Sequence, residues 1–421
     1  MKFNKWTMSL AALGVVSLGS AVRADETNAP VYLETAVSGT SISGYVSTSA
    51  QWNVGANGPQ QPGYGNNSIG KEDGFNLDAA EVTISKQLDD SQWASGYTFT
   101  TVYGQDAGAV GKSFAGSTDS SSIGFSSDAS IKDAYVELRA PLGNGLDIKA
   151  GVFDTLLGYE VFDAGSDPNY TRSYGYSIEP TTHTGVLLAY NFFDWLSAQA
   201  GVGNTTDAGL GTRNGSGYGA GGSTIESKKA YYGSISLTAP NSWGFLAGST
   251  FYGAVEGGRP SGTVGTVTAI NYADQINYYV GTTINTPIKA LKFGASYDYV
   301  GFKIADGSPL DAGSTAWGDA FALYGTYQAT DKLSFDARAE YAWESATLAD
   351  NYVAFYGNSG SANPNATEAV YALTGTVEYD LWKNVMSRVE VRWDHAKDDS
   401  FGNTDGKKDS VLLAANLIYK F

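Results

Sequence analysis

From Asp133 to Phe153 the side chains change character at nearly every step. Ala134, Val136, Leu138 and Ala140 fall on one face of an extended chain, and Asp133, Tyr135, Glu137 and Arg139 fall on the other. The run Pro141-Leu142-Gly143-Asn144-Gly145 turns the chain. Leu146, Ile148, Ala150 and Val152 then alternate with Asp147, Lys149, Gly151 and Phe153. A period of two on both sides of a short turn specifies a β-hairpin, one face apolar and the other wet. Two architectures accept such a hairpin: a soluble sandwich, and a membrane barrel with a polar interior.

The connections choose between them. Sixteen segments of this kind follow one another from 41–53 to 409–421, among them 195–204, 243–256, 332–345 and 385–397. The links between them alternate in length. Long ones span 54–74, 104–130, 155–181, 205–227, 304–316 and 346–367; short ones are 141–144, 193–194, 240–242, 330–331 and 382–384. A sandwich has no reason to keep every second loop short, whereas a membrane barrel has short periplasmic turns and long outer loops. The fold expected is therefore all-β, a transmembrane antiparallel β-barrel of about 16 strands.

Face chemistry points the same way. In 332–345, Leu333, Phe335, Ala337, Ala339, Tyr341 and Trp343 alternate with Asp336, Arg338, Glu340 and Glu344; in 385–397, Val385, Val389, Val391 and Trp393 alternate with Arg388, Glu390, Arg392 and Asp394. This is a lipid-facing band backed by a charged lumen. Trp93, Trp195, Trp243, Trp317, Trp343, Trp382 and Trp393 recur near segment ends, as interfacial girdles do. No internal run approaches the ~20 apolar residues of a spanning helix. The final segment puts Val411, Leu413, Ala415, Leu417, Tyr419 and Phe421 on one face; ending on Phe421, it resembles the last strand of Gram-negative outer-membrane proteins, which implies that Phe421 is an assembly signal.

The N-terminus reads as a secretory signal: Lys2 and Lys5, an apolar run from Met8 to Leu18, then Val22-Arg23-Ala24 before Asp25. The organisation expected is a signal peptide over 1–24, a leader over 25–40 and a barrel over 41–421, placed in the outer membrane of a Gram-negative bacterium. Removing 1–24 removes three basic residues and takes the formal charge from −17 to −20. So negative a chain lacks the basic surface that nucleic acid requires. The absence of cysteine excludes disulfides, thiol catalysis and thiolate metal sites.

Over Ala134 to Val186 the chain resembles the OmpL-like β-barrel porin-2 family. The residues that carry this are A-Y-V-E-L, the P-L-G-N-G turn, K-A-G-V-F-D-T-L-L-G-Y-E, the Y-T-R-S-Y run and E-P-T-T-H-T-G-V. The resemblance implies a secreted outer-membrane barrel that forms a pore; it supplies no substrate.

Segment 155–181 differs from the small, polar loops around it. Leu156, Leu157, Tyr159, Val161 and Phe162 call for burial, which inward folding would provide; packing outside against a neighbouring subunit is the other option. By analogy with the third loop of general porins, it would narrow the pore. Its acids Glu160, Asp163, Asp167 and Glu179 outnumber Arg172. The opposite wall of a sixteen-strand ring carries Arg338, Arg388 and Arg392. Loop acids facing these arginines would set a transverse field across a constriction made of Glu160, Asp163, Asp167, Arg172, Arg338, Arg388 and Arg392. Alternatively, the arginines pair with Asp336, Glu340, Glu378 and Glu390 beside them.

Other chemistry is thin. His183 stands between threonines and His395 follows Asp394 on the opposite face, so neither suggests a hydrolytic triad. Asp398, Asp399, Asp405 and Asp409 are interspersed with Lys397, Lys407 and Lys408, as in a solvated loop rather than a calcium site. The glycines of 201–222 precede no helix and make no dinucleotide site. The expectation is a passive channel for small hydrophilic solutes or ions, without enzymatic activity, cofactor or metal. Outer-membrane lipid, the barrel-assembly machinery and small solutes are the expected partners, with a homotrimer left open and no nucleic acid. The competing reading is a non-conducting structural or adhesive barrel.

Overall fold

The computed structural model describes residues 31–32, 39–54, 71, 73–110, 129–206, 229–260, 272–304, 315–345, 369–397 and 407–421. Sixteen strands carry the fold. The first eight are β1 (Thr40–Val54), β2 (Gly74–Lys86), β3 (Ser95–Tyr103), β4 (Ala129–Ala140), β5 (Leu146–Asp154), β6 (Thr182–Phe193), β7 (Leu196–Gly203) and β8 (Ala230–Thr238). The second eight are β9 (Thr250–Gly258), β10 (Tyr272–Asn285), β11 (Leu291–Ile304), β12 (Thr315–Gln328), β13 (Leu333–Glu344), β14 (Ala369–Trp382), β15 (Val385–Ala396) and β16 (Asp409–Lys420). Each pairs antiparallel with its chain neighbours, as the short turns dictate. A two-residue strand from the leader, Val31–Tyr32, pairs with Ser41 and Ile42 at the start of β1.

The sheet closes on itself. β16 pairs with β1, from Val411 opposite Val54 to Lys420 opposite Tyr45. Gly44 and Phe421 complete the seam by exchanging two backbone hydrogen bonds of 3.0 Å each. Closure leaves no edge whose amides would lie unpaired in hydrocarbon. Among the described residues no helix is long and apolar enough to cross a membrane; the strands cross it.

Alternation sorts the side chains as the sequence reading requires. Phe75, Leu138, Phe251, Leu323, Phe335, Val389 and Leu417 are exposed outside, while Asp78, Arg338, Arg388, Arg392 and Asp394 are buried inside. This inverts a soluble protein and suits one solvated by lipid. Strand ends agree with the sequence reading to within a few residues, with one correction. Segment 243–256 does not begin at Trp243: Asn241–Leu246 coil into 3₁₀ turns and β9 starts at Thr250. Gly244 (φ 62°) and Gly248 (φ 78°) take left-handed backbone there, and Gly248 N–H donates to Ala239 O, folding a longer turn that holds Trp243 exposed.

Among the described residues, two apolar clusters lie inside the barrel. One joins Tyr45, Ala79, Val102, Met386 and Ile418 of the wall to Phe162 and Ala164. The other joins Phe153, Leu187, Tyr232, Tyr252, Ala254 and Tyr279 to Leu156 and Leu157. Both are completed by residues of 155–181.

Candidate functional site: the loop inside the barrel

The segment between β5 and β6 folds into the barrel. Its ends are tied where it leaves the wall: Thr155 N–H donates to Thr181 O (3.1 Å), and Thr155 Oγ1 lies 3.2 Å from His183 Nε2. Gly158, at φ 111°, takes a turn that a side chain would strain, and a Cβ there would also collide with the Glu179 carboxyl. Val161 N–H donates to Asp167 Oδ1 (3.0 Å), closing a tip around Ala164–Ser166. The return arm makes one helical turn, Tyr174–Ser177, capped by Ser173 Oγ accepting from Tyr176 N–H (3.1 Å).

A loop inside a barrel has few backbone partners of its own, and each buried N–H or C=O left unpaired costs about as much as a lost hydrogen bond. The wall supplies them. Arg338 Nη1 donates to Thr171 O (2.7 Å) and Nη2 to Arg172 O (3.1 Å). Arg392 Nη1 donates to Arg172 O (2.6 Å), and Arg388 Nη1 to Asp167 O (2.9 Å) and Asn169 O (3.0 Å). Wall carboxylates take the loop's amides: Glu390 accepts from Tyr170 N–H (2.6 Å) and Thr171 N–H (2.9 Å), and Glu340 from Tyr174 N–H (2.7 Å).

The seven residues predicted for the constriction are thus brought into one neighbourhood, with one difference. The loop acids and wall arginines do not face each other across an open slot. Glu160 pairs with Arg338 at 2.8 Å, Asp167 with Arg172 at 2.6 Å, and these four side chains are almost fully buried. Arg338 also reaches Glu340 (2.7 Å) and Arg392 reaches Asp394 (2.9 Å). The inward fold that the apolar residues favour brings these opposite charges into contact, whereas Arg388 is held by Asn416 and two loop carbonyls. Asp163 alone of the seven keeps a partly open side chain, 3.6 Å from Lys132.

Docking residues that sequence reasoning missed include Tyr170, Asn169, Asp78 and Lys420. Tyr170 Oη donates to Ser49 Oγ (2.8 Å) and Asp78 Oδ1 (3.1 Å), Asn169 reaches Thr376 (2.7 Å), and Lys420 Nζ donates to Gly165 O (2.6 Å). Lys71 bridges Asp78 (3.0 Å) and Asp106 (2.6 Å) beneath the Tyr170 ring. On the far side, Tyr159 stacks on Tyr324 at 4.1 Å over Gly294, where a Cβ would strike its hydroxyl. A Y-T-R run among acids was a visible signal; which wall residues it would meet was not.

A family model described as "Putative beta-barrel porin-2, OmpL-like" matches residues 39–421. The chain belongs to this family. Solved porin structures share the OmpL-like chain's fold. The anion-selective porin from Comamonas acidovorans superposes with a TM-score of 0.57 at 11% identity, over 91% of this chain and 99% of that one. The outer membrane channel DcaP of Acinetobacter baumannii gives 0.55 at 16% identity, over 91% and 97%. OmpT of Vibrio cholerae gives 0.55 at 12%, over 93% and 100%. No curated protein sequence matches the chain significantly.

The remaining predicted positions of this OmpL-like porin fall as follows. His183 is buried near the start of β6, stacked on Tyr232 (4.8 Å) and 3.5 Å from Glu256. His395 sits outside, with Nδ1 2.9 Å from Asp409. Asp398, Asp399 and Asp405 lie outside the described residues, as do 207–222 of the glycine repeats and the signal 1–24.

Proposed function

We propose that this chain is an outer-membrane porin, a passive diffusion channel for small hydrophilic solutes or ions, narrowed by segment 155–181. The observation that carries the reading is a closed barrel, apolar outside and polar inside, whose lumen holds a loop docked to both walls. Such a barrel needs no moving part to conduct, and the loop supplies a size limit. Residues 1–24 are a signal removed on export, 25–40 a leader, and Phe421 an element recognised by the barrel-assembly machinery. A trimer form is described for OmpT of Vibrio cholerae; the proposal extends a trimer to this chain. Reconstituted protein should make liposomes swell in small sugars but not in large ones. One observation favours the alternative, a plugged barrel with a structural or adhesive role: the inner faces of β13–β16 are sealed beneath the loop. Absence of swelling for every solute would establish that alternative.

A further inference from the structure

The loop does not fill the lumen evenly. All residues of the return arm from Asp167 to Gly175 are buried, pressed against β13–β15 by the contacts above. The outgoing arm is different: Thr155, Tyr159, Val161, Asp163, Gly165 and Ser166 all keep partial exposure. The wall repeats the asymmetry. On β13–β16 inward side chains are buried except at the strand ends, whereas on β2–β7 the inward positions Thr83, Thr98, Tyr135, Lys149, Ala189 and Gly201 stay half-open. Thr98 pairs with Tyr135, and the other positions lie two residues apart across neighbouring strands: Thr83 is opposite Thr100, Lys149 opposite Glu137 and Leu187, and Ala189 opposite Gln199. Among the described residues of the lumen, the half-open inward positions thus concentrate on β2–β7 and the outgoing arm.

The charged side chains open to water on that side are few. Asp154, where β5 turns inward, is 32% exposed, and Asp163 on the outgoing arm is 33% exposed. Both reach toward Lys132, itself 5% exposed, at 3.0 and 3.6 Å. Asp133 and Glu81 crowd the same ammonium. Lower down, Lys149 (22% exposed) faces Glu137 at 3.9 Å. Arg139 and Asp147, 2.6 Å apart, cancel each other. Glu81 hydrogen-bonds to Asp163 and so carries the proton between them, which leaves four carboxyl groups, Asp133, Glu137, Asp154 and Asp163, against two ammonium groups. Asp154 also lines a crevice between the two arms; the other acids there, Glu160 and Glu179, add no free charge, because Glu160 is paired with Arg338 and burial raises the Glu179 carboxyl. Burial raises the Asp163 carboxyl, but the Lys132 ammonium and a hydrogen bond with Glu81 outweigh it and hold the group below the ordinary aspartate value, hence ionised.

We infer that the open passage runs between the outgoing arm and β2–β7, and that Asp154 and Asp163 are its ion-selecting residues, favouring cations over anions. Fixed charge at a narrow, partly desolvated point enriches the counter-ion. The arginines that the sequence offered as the selecting wall take no part, because the return arm covers them. This inference rests on the porin reading above and names the class of solute favoured at that site.

The test is the zero-current potential of the full-length protein in a planar bilayer under a potassium chloride gradient. The potential should have the sign of potassium preference at about 0.1 M mean salt, where screening extends ~10 Å, and should shrink near 1 M, where it extends ~3 Å. Asp163→Asn and Asp154→Asn should each lower the potassium-to-chloride permeability ratio by about twofold or more, the order expected for one screened unit charge. Lys149→Gln should raise it. Boiled and unboiled gel mobilities show which variants fold; if neither aspartate variant assembles, the wild-type sign and Lys149→Gln still decide. A wild-type potential of zero or of chloride sign would overturn the inference while leaving the porin reading intact. A potassium-selective wild type with a ratio unmoved by the folded aspartate variants would overturn the assignment to these residues. Absence of any conductance would overturn the porin reading, and the inference with it.

Discussion

Arg338 shows how a buried charge acts in this lumen. Its guanidinium serves Glu160, Glu340 and two loop carbonyls at once. Replacing it with methionine removes this donor from two carboxylates and from Thr171 O, while Arg172 O keeps Arg392, and breaking a buried pair in this way costs about 3–5 kcal/mol. Arg338→Met should therefore lower the temperature at which unboiled protein loses its folded gel mobility. Arg338→Lys should recover part of the loss, since lysine restores charge but not the fork. An unchanged transition would mean that the docking contacts carry no stability. Glu179 yields a pH prediction. Burial, then the facing Asp298 carboxyl and its hydrogen bond, then Glu160 and Asp167, push the Glu179 carboxyl well above the ordinary glutamate value. A carboxyl raised in the fold stabilises most below its unfolded value, and that contribution is lost as pH rises through the folded value. The unfolding temperature should fall as pH rises above the ordinary glutamate range, and Glu179→Gln, which cannot ionise, should flatten that fall. An equally steep fall in the variant would place the titration elsewhere. Residue types at this scale were legible in the sequence; their partners were not. Arg388 and Asp167 O are 221 positions apart, and no local pattern sets which carbonyl a guanidinium will meet.

Strands and loops were legible to very different degrees. A strand announces itself through its period, and β13 and β15 lie within a residue or so of 332–345 and 385–397. The exception, β9, fails for a local reason: 243–249 lies in a turn rich in glycine and aromatics whose alternation continues into the strand. For 155–181, composition indicated burial and geometry now explains it. Leu156, Leu157, Phe162 and Ala164 fill two wall clusters, and burying each large side chain contributes roughly 1.5–3 kcal/mol. Its charges were legible but not their spacing: an acidic loop and a basic wall look alike on paper whether water or contact separates them. If the segment is the narrow point, shortening it between Tyr159 and Tyr176 should raise single-channel conductance and admit larger sugars in swelling assays. Conductance equal to wild type in a folded variant would move the constriction elsewhere.

At the scale of the whole molecule the decisive property is closure. β16 returns to β1, and Phe421 exchanges hydrogen bonds with Gly44 at the seam. Deleting Phe421 should lower outer-membrane yield and leave chain in the periplasm; an unchanged yield would remove its assembly role. A barrel without an edge should also resist SDS until boiled and so migrate differently before and after heating, and identical mobilities would count against closure. The alternation of long and short connections made this ring readable, because membrane sidedness imposes it on every pair of strands. The central claim is that the closed ring conducts with its loop in place. The most direct test is the single-channel current of the wild-type protein in a planar bilayer. The account predicts discrete, persistent openings that scale with salt concentration and become larger when the loop is shortened. A wild-type barrel that inserts, folds by gel mobility and stays electrically silent would contradict it.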